Sequence, residues 1–229
     1  LYAALGGQAG AGAVADALIG KVNPCGKLAE TWPLTYADVP SAADFATRRK
    51  TVEYREGLYI GYRYFTTAKK AVRFPFGYGM SYTTFAYSDM AADEQGVSLT
   101  VTNTGSVAGT EIVQLYVAKK NSEHFRPARE LKGFARVTLA PGEKQRITIA
   151  LDDKAFRFWN VKADRWEIEG GAYALLVGAS VEDIRLCEKI SVQGTATVHP
   201  YEDVDLGCYY KGDVLSVSDA DFEKLLGHT

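Results

Sequence analysis

The stretch "GVSLTVTNTG" (Gly96–Gly105) decides the fold. Val97, Leu99 and Val101 alternate with polar residues, the period of a strand with one buried face, and Asn103-Thr104-Gly105 supplies a turn. Downstream, "EIVQLYVAKK" (Glu111–Lys120) repeats the alternation with Val113, Leu115 and Val117. "LKGFARVTLAPGEKQRITIAL" (Leu131–Leu151) reads as two strands flanking a turn at Pro141-Gly142, with Ile147, Ile149 and Leu151 facing one way. "FRFWNVKADRWEI" (Phe156–Ile168) reads as a hairpin turning at Lys162–Asp164, and "GAYALLVGAS" and "IRLCEKISV" add two more strands. Seven or more short strands with regular turn signals over roughly 110 residues indicate a mainly β chain, built around an antiparallel β-sandwich of immunoglobulin-like size. No Cys–Trp–Cys spacing occurs, which excludes the disulfide-pinned antibody type.

Upstream the texture differs. "RFPFGYGMSYTTFAYS" (Arg73–Ser88) has six aromatic residues, two glycines and a proline among its sixteen residues. Helices and core strands both disfavour Pro75, and a disordered linker would not carry so many rings. The segment predicts a rigid connector. Before it, Leu1–Leu5 reads as the end of a strand, Gly6 to Gly12 as a glycine-rich turn, and Ala13–Ile19 as a short helix stopped by Gly20. "NPCGK" (Asn23–Lys27) is a turn and "LAETWPL" (Leu28–Leu34) a short extended segment, so these pieces read as the tail of an α/β layer. Asp38 to Lys50 is polar and irregular, with room for a helical turn, and the alternation of Leu58, Ile60 and Tyr62 predicts a strand. After Gln193 the chain is irregular until "SVSDADFEKLLGHT" (Ser216–Thr229). There Ser218 with Asp221 resembles a capping box, Phe222, Leu225 and Leu226 share a helix face, and Gly227 is the stop.

With 229 residues, 47% hydrophobic and 24% charged, the chain has room for one large domain or two small ones and is too apolar to be disordered. Its net charge is −2 and its densest basic cluster, Arg48-Arg49-Lys50, is too small for a nucleic-acid surface, so it reads as a solvated charge run. No apolar run approaches the roughly 20 residues of a membrane span. Localisation stays open between cytoplasm and secretion, with a bacterial-type cytoplasmic protein the favoured of the two. Cys25, Cys187 and Cys208 read as buried free thiols. The glycine-rich turn lacks both the Walker spacing and the βαβ setting of a nucleotide site, so it reads as tight helix–strand packing, and no cofactor is expected.

Candidate chemistry is sparse. His124, His199 and His228 are isolated and form no metal-spaced set. Glu30, Asp38, Asp44, Glu53 and Glu56 contain no distinguished pair of carboxylates. Glu56, among aromatic neighbours, is expected to be partly buried and paired with Arg55 or Arg63. Trp159, Trp166, Tyr209 and Tyr210 read either as core fillers or as a platform for sugar rings. The loop Asn121–Arg129, "NSEHFRPAR", is long for a sandwich connection. It is read as reaching toward a substrate entrance or neighbouring domain, or else as a solvated loop. The candidates for substrate contact are therefore Glu56, His124, Phe125 and Arg126, with no catalytic residue and no metal ligand assigned.

Six segments together resemble the C-terminal portion of glycoside hydrolase family 3, the β-glucosidase and β-xylosidase family. They are "GGQAGAGAVADALIGKVNPCGKLAETWP", "YREGLYIGYRYF", "RFPFGYGMSYTTF", "VTNTGSVAGTEIVQLYV", "RPARELKGFARVTLAPGE" and "GAYALLVGAS", in the family's order. The resemblance implies the C-terminal part of an α/β sandwich domain over residues 1–65, an aromatic and glycine-rich connector over 66–84, a fibronectin type III-like β-sandwich over 85–193 and a C-terminal extension with a short helix over 194–229. It further implies a retaining β-glycosidase, a β-glucosidase in the first place, acting on β-linked oligosaccharides or aryl glycosides. Its nucleophilic aspartate and acid/base glutamate would lie before Leu1, in a barrel and in the α/β sandwich. This chain would then be inactive alone and would contact that barrel, with homodimerisation a further option. The alternative is a carbohydrate-binding or structural interaction module. Two departures from the family's pattern stand out, Ala9 where an acidic residue is common and Cys25 where serine is common.

Overall fold

The computed structural model describes residues 1–43, 45 and 51–227. Asp44, Arg48-Arg49-Lys50 and His228 lie outside them. Two facing sheets dominate. One has four strands in the order β11-β10-β5-β6, formed by Ile184–Val192, Gly171–Gly178, Gly109–Ala118 and Glu130–Leu139. The other has three, β3-β4-β7, formed by Phe85–Asp93, Gly96–Asn103 and Lys144–Ala150. All their pairings are antiparallel. The alternation read from the sequence is the packing: Val97, Leu99, Val101, Val113, Leu115, Val117, Ile147 and Ile149 all line one core with Tyr173, Leu175 and Val177. Each such side chain contributes about 1.5–3 kcal/mol through burial.

The Pro141-Gly142 turn joins β6 to β7 without pairing them. β6 lies beside β5 and β7 beside β4, so the chain crosses between sheets at this turn. Gly142 has φ +76, a value that favours glycine. Asn103 holds the crossing. Its fully buried side chain donates to the Val107 and Leu139 carbonyls (2.8 and 3.0 Å) and accepts from the Thr83 hydroxyl (2.6 Å) and the Gly105 amide (3.1 Å). The hairpin predicted around Lys162–Asp164 is present as β8 (Arg157–Asn160) and β9 (Arg165–Ile168).

Before the sandwich, helix α1 (Gly10–Leu18) ends with Gly20 at φ +77, whose amide bonds to Ala17 while that of Lys21 bonds to Asp16. A two-residue strand β1 (Trp32–Pro33) pairs with β2 (Val72–Phe74). Two expectations fail here. Leu1–Leu5 forms no strand. The predicted strand around Leu58–Tyr62 is instead a pair of turns leading into helix α2 (Tyr62–Thr67), because Gly57 and Gly61 both sit at φ +55 and break an extended run. Tyr59 is the buried residue of that stretch, and Leu58 and Ile60 point outward.

The connector is wedged between both parts. Phe76 stacks on Tyr62 with ring centroids 4.6 Å apart, and Phe74 packs edge-on against Trp32 at 5.8 Å. A Cβ on Gly79 would lie 2.3 Å from the Gly26 carbonyl oxygen, so only glycine permits this approach. Gln114 of β5 donates to the carbonyls of Gly77 and Ala179, at 3.1 and 2.7 Å. At the far end, helices α3 (Gly207–Lys211) and α4 (Asp219–Leu226) form a second, smaller core with the N-terminal part, which includes Tyr59, Tyr64, Phe65, Leu206 and Tyr209. The Ser218 hydroxyl caps α4 by accepting from the Asp221 amide, and Gly227 ends it at φ +73. The three cysteines are free thiols, but none is fully buried: Cys25 and Cys208 are half-buried, and Cys187 is exposed because β11 is an edge strand with one open face.

Candidate functional site

The loop between β5 and β6 folds inward and is not a solvated connection. Its anchor is Glu169, a buried carboxylate that accepts from the Ser122 hydroxyl (2.6 Å) and the Glu123 amide (2.8 Å). Arg126 approaches it at 3.4 Å and Lys119 at 4.0 Å, so the buried charge is neutralised from two sides. The cation of Lys119 lies 4.7 Å from the centroid of Tyr173, whose hydroxyl donates to the Glu169 carbonyl.

His124 and Phe125 face the C-terminal extension. The buried His124 ring lies 4.1 Å from Phe158 and 4.9 Å from His199, and its Nδ1 has no hydrogen-bond partner. Burial pushes its pKa down, opposed by Glu169 and reinforced by His199 and Arg126. Nδ1 of His199 accepts from the Tyr201 amide, so its Nε2 carries the proton given to the Glu123 carbonyl at 2.7 Å. Phe125 packs against Tyr201, Tyr209 and Tyr210 at 5.2, 5.5 and 6.0 Å.

His124, Phe125 and Arg126 are thus brought together. Glu56 is half-buried on the segment whose Arg55 carbonyl accepts from the Tyr209 hydroxyl. The ion pair expected for it is not formed with either arginine: Arg55 binds Glu53 and Asp219, and Arg63 lies 3.7 Å from Glu130. The candidate aromatics divide. Tyr209 is fully buried, with burial pushing its hydroxyl up to about 12, whereas Trp159 and Trp166 are 44% and 59% exposed and meet edge-to-face at 5.5 Å. Among the other carboxylates, Asp38 is held by Thr35 in a capping box and Glu53 by Arg55. Among the described residues, no group of three or more His, Cys, Asp or Glu could hold a metal ion, and no helix is long and apolar enough to cross a membrane. An ion pair from half-buried Lys27 to buried Glu111, at 3.0 Å, ties the N-terminal part to β5 in a cleft that also holds Cys25 and Arg185. Sequence reasoning missed Glu169 as an anchor and Arg55 as a bridge, since their partners are far along the chain.

Comparison with known proteins then accounts for both halves of the fold. Residues 1–82 match the "Glycosyl hydrolase family 3 C-terminal domain" and residues 111–181 the "Fibronectin type III-like domain". The chain belongs to glycoside hydrolase family 3. A family 3 relative, thermostable beta-glucosidase B of Acetivibrio thermocellus, is 46% identical over 206 residues, covering 86% of this chain and 27% of the relative. An exo-alpha-(1->6)-L-arabinopyranosidase of Bifidobacterium breve is 43% identical, covering 85% of this chain and 26% of its own length. Among solved structures, the family 3 beta-glucosidase of Bifidobacterium adolescentis superposes with a TM-score of 0.80 at 39% identity, covering 92% of this chain and 33% of that one. The chain therefore spans about a quarter of the length of the curated relatives it matches.

Proposed function

We propose that this chain is the C-terminal, supporting portion of a retaining β-glycosidase of β-glucosidase type, and that hydrolysis is performed by carboxylates outside it. The carrying observation is the surface of its family-matched N-terminal region. Helix α1 has no buried residue, and Leu1, Tyr2, Leu5, Leu18 and Ile19 are all exposed. An apolar surface of that kind suits a layer that continues into further protein. Retaining hydrolysis needs two carboxyl groups about 5–5.5 Å apart across the scissile bond. Asp38 is engaged in a cap and Glu53, Glu111, Glu130, Glu169 and Asp219 in ion pairs, which fits a bracing role. The names of the relatives favour glucose, with arabinopyranose as the competing sugar. The test compares aryl β-glucoside hydrolysis by the intact protein and by this chain alone. Turnover is expected from the intact protein only, and turnover by this chain overturns the division of labour.

A second reading, a carbohydrate-binding module, is favoured by one observation, the exposed Trp159–Trp166 pair. The hairpin beneath it is fixed by Asn160 and Glu167, both buried and bonded to each other at 2.7 Å. The two indole planes stand at 75° to each other, so they present their faces in different directions. On this reading, titration with β-linked gluco-oligosaccharides gives saturable binding that Trp166→Ala abolishes. A flat titration removes it.

A further inference from the structure

We propose that Val52–Ile60 is a docking surface for the catalytic portion of the intact enzyme, and that the C-terminal extension is the strap that holds this surface in place. The inference rests on the reading that the chain is part of a larger glycosidase. Two opposite faces of one short segment carry it.

The inner face is pinned at several points. The Arg55 guanidinium donates to the Val217 carbonyl (2.9 Å), to Asp219 (2.6 Å) and to Glu53 (2.8 Å), and it lies over the ring of Phe222 at 5.2 Å. The fully buried Tyr59 donates its hydroxyl to the Tyr209 carbonyl, and Tyr209 returns a bond from its own hydroxyl to the Arg55 carbonyl at 2.9 Å. Val217, Asp219 and Phe222 belong to α4 and its lead-in, and Tyr209 to α3. The extension therefore fixes this segment through backbone carbonyls and side chains far away in sequence.

The outer face is apolar and open. Val52, Tyr54, Leu58 and Ile60 are 70%, 72%, 49% and 59% exposed. Most exposed apolar side chains are scattered, whereas these four share one segment that is held from behind at Arg55 and Tyr59. Ordering costs are thus already met before any partner arrives, which favours association. The catalytic portion is the occupant chosen for two reasons. The patch lies within the region matched to the family 3 C-terminal domain, and two thirds or more of each relative's length lies outside the span matched by this chain.

The experiment uses the intact protein with Tyr54→Cys or Leu58→Cys, labelled by a maleimide and read peptide by peptide by mass spectrometry. Both sites are expected to react at least about tenfold more slowly in the folded enzyme than after unfolding in urea, because a covered thiol is unreactive. Rates within about threefold of the unfolded ones overturn the surface. Protection that disappears on dilution to a monomer assigns the patch to a second copy and overturns the choice of occupant. Adding Arg55→Met, which keeps the stem against Phe222 but removes its donors, is expected to accelerate labelling at Leu58→Cys by about fivefold or more. Unchanged labelling overturns the strap. Aryl β-glucoside turnover is measured beside it: protected sites in an inactive enzyme count against the functional reading alone, and accessible sites in an active enzyme count against the surface alone.

Discussion

Protonating His124 would put a cation between Phe158 and His199, beside Arg126, at a site that gives its Nδ1 no acceptor. Burial is the largest cause of its depressed pKa, and the carboxylates of Glu169 and Glu123 only partly offset it. The sign follows from linkage. The unfolded chain binds the proton more readily than the folded one, so stability falls as pH drops through the ordinary histidine value of about 6.5. It stops falling once pH is below the depressed folded-state value. His124→Phe keeps a ring against Phe158 without a titrating nitrogen. The melting temperature of this variant is expected to change less than that of the native sequence between about pH 7.5 and about pH 5. An equal change in the two proteins would show that His124 does not report on acid in this way.

At the scale of elements, what the sequence made legible was local and periodic. β4 and β5 announce themselves through Val97, Leu99, Val101, Val113, Leu115 and Val117, because one buried face imposes a period of two. The same rule misled at Leu58, Ile60 and Tyr62, where two glycines at φ +55 replace a strand with turns and the alternation has no partner strand to serve. Chain neighbours are also not sheet neighbours. Nothing in "LAPGEK" says that β6 and β7 part company at the turn, since their partners β5 and β4 are chosen by the closing of the sandwich. Asn103 shows the limit from another side. Its place in an Asn-Thr-Gly turn was readable, but its four side-chain bonds depend on Thr83, Gly105, Val107 and Leu139 arriving together. The candidate site divides in the same way. His124, Phe125 and Arg126 stood out by residue type in a long loop. Glu169, which anchors the loop, became visible only when distant segments were brought into contact, and Tyr209, legible as a possible core filler, found its partner Phe125 only there.

The whole molecule contains two cores of different origin. The sandwich core is contributed by a continuous run of strands, whereas the second core closes only when Tyr59, Tyr64 and Phe65 from the N-terminal part meet Leu206, Tyr209, Val214 and Val217 from the extension. Segments that bury a shared cluster open together, at a free energy set by that cluster and not by the rest of the fold. Amide hydrogens of α2 and of α3–α4 are therefore expected to exchange with one common opening free energy, below that of β4 and β5. Tyr209 sits at the centre of the second core, fully buried and bonded to both Tyr59 and Arg55. Tyr209→Ala should lower protection in α2 and α4 together by about 3–5 kcal/mol, the usual cost of truncating a buried aromatic side chain. Protection in β4 and β5 should hold, because Leu99, Val101 and Leu115 pack in the other cluster. If hydrogen exchange instead shows the sandwich strands losing the same amount, the two cores unfold as one unit. The extension would then stabilise the sandwich itself as well as the segment it straps.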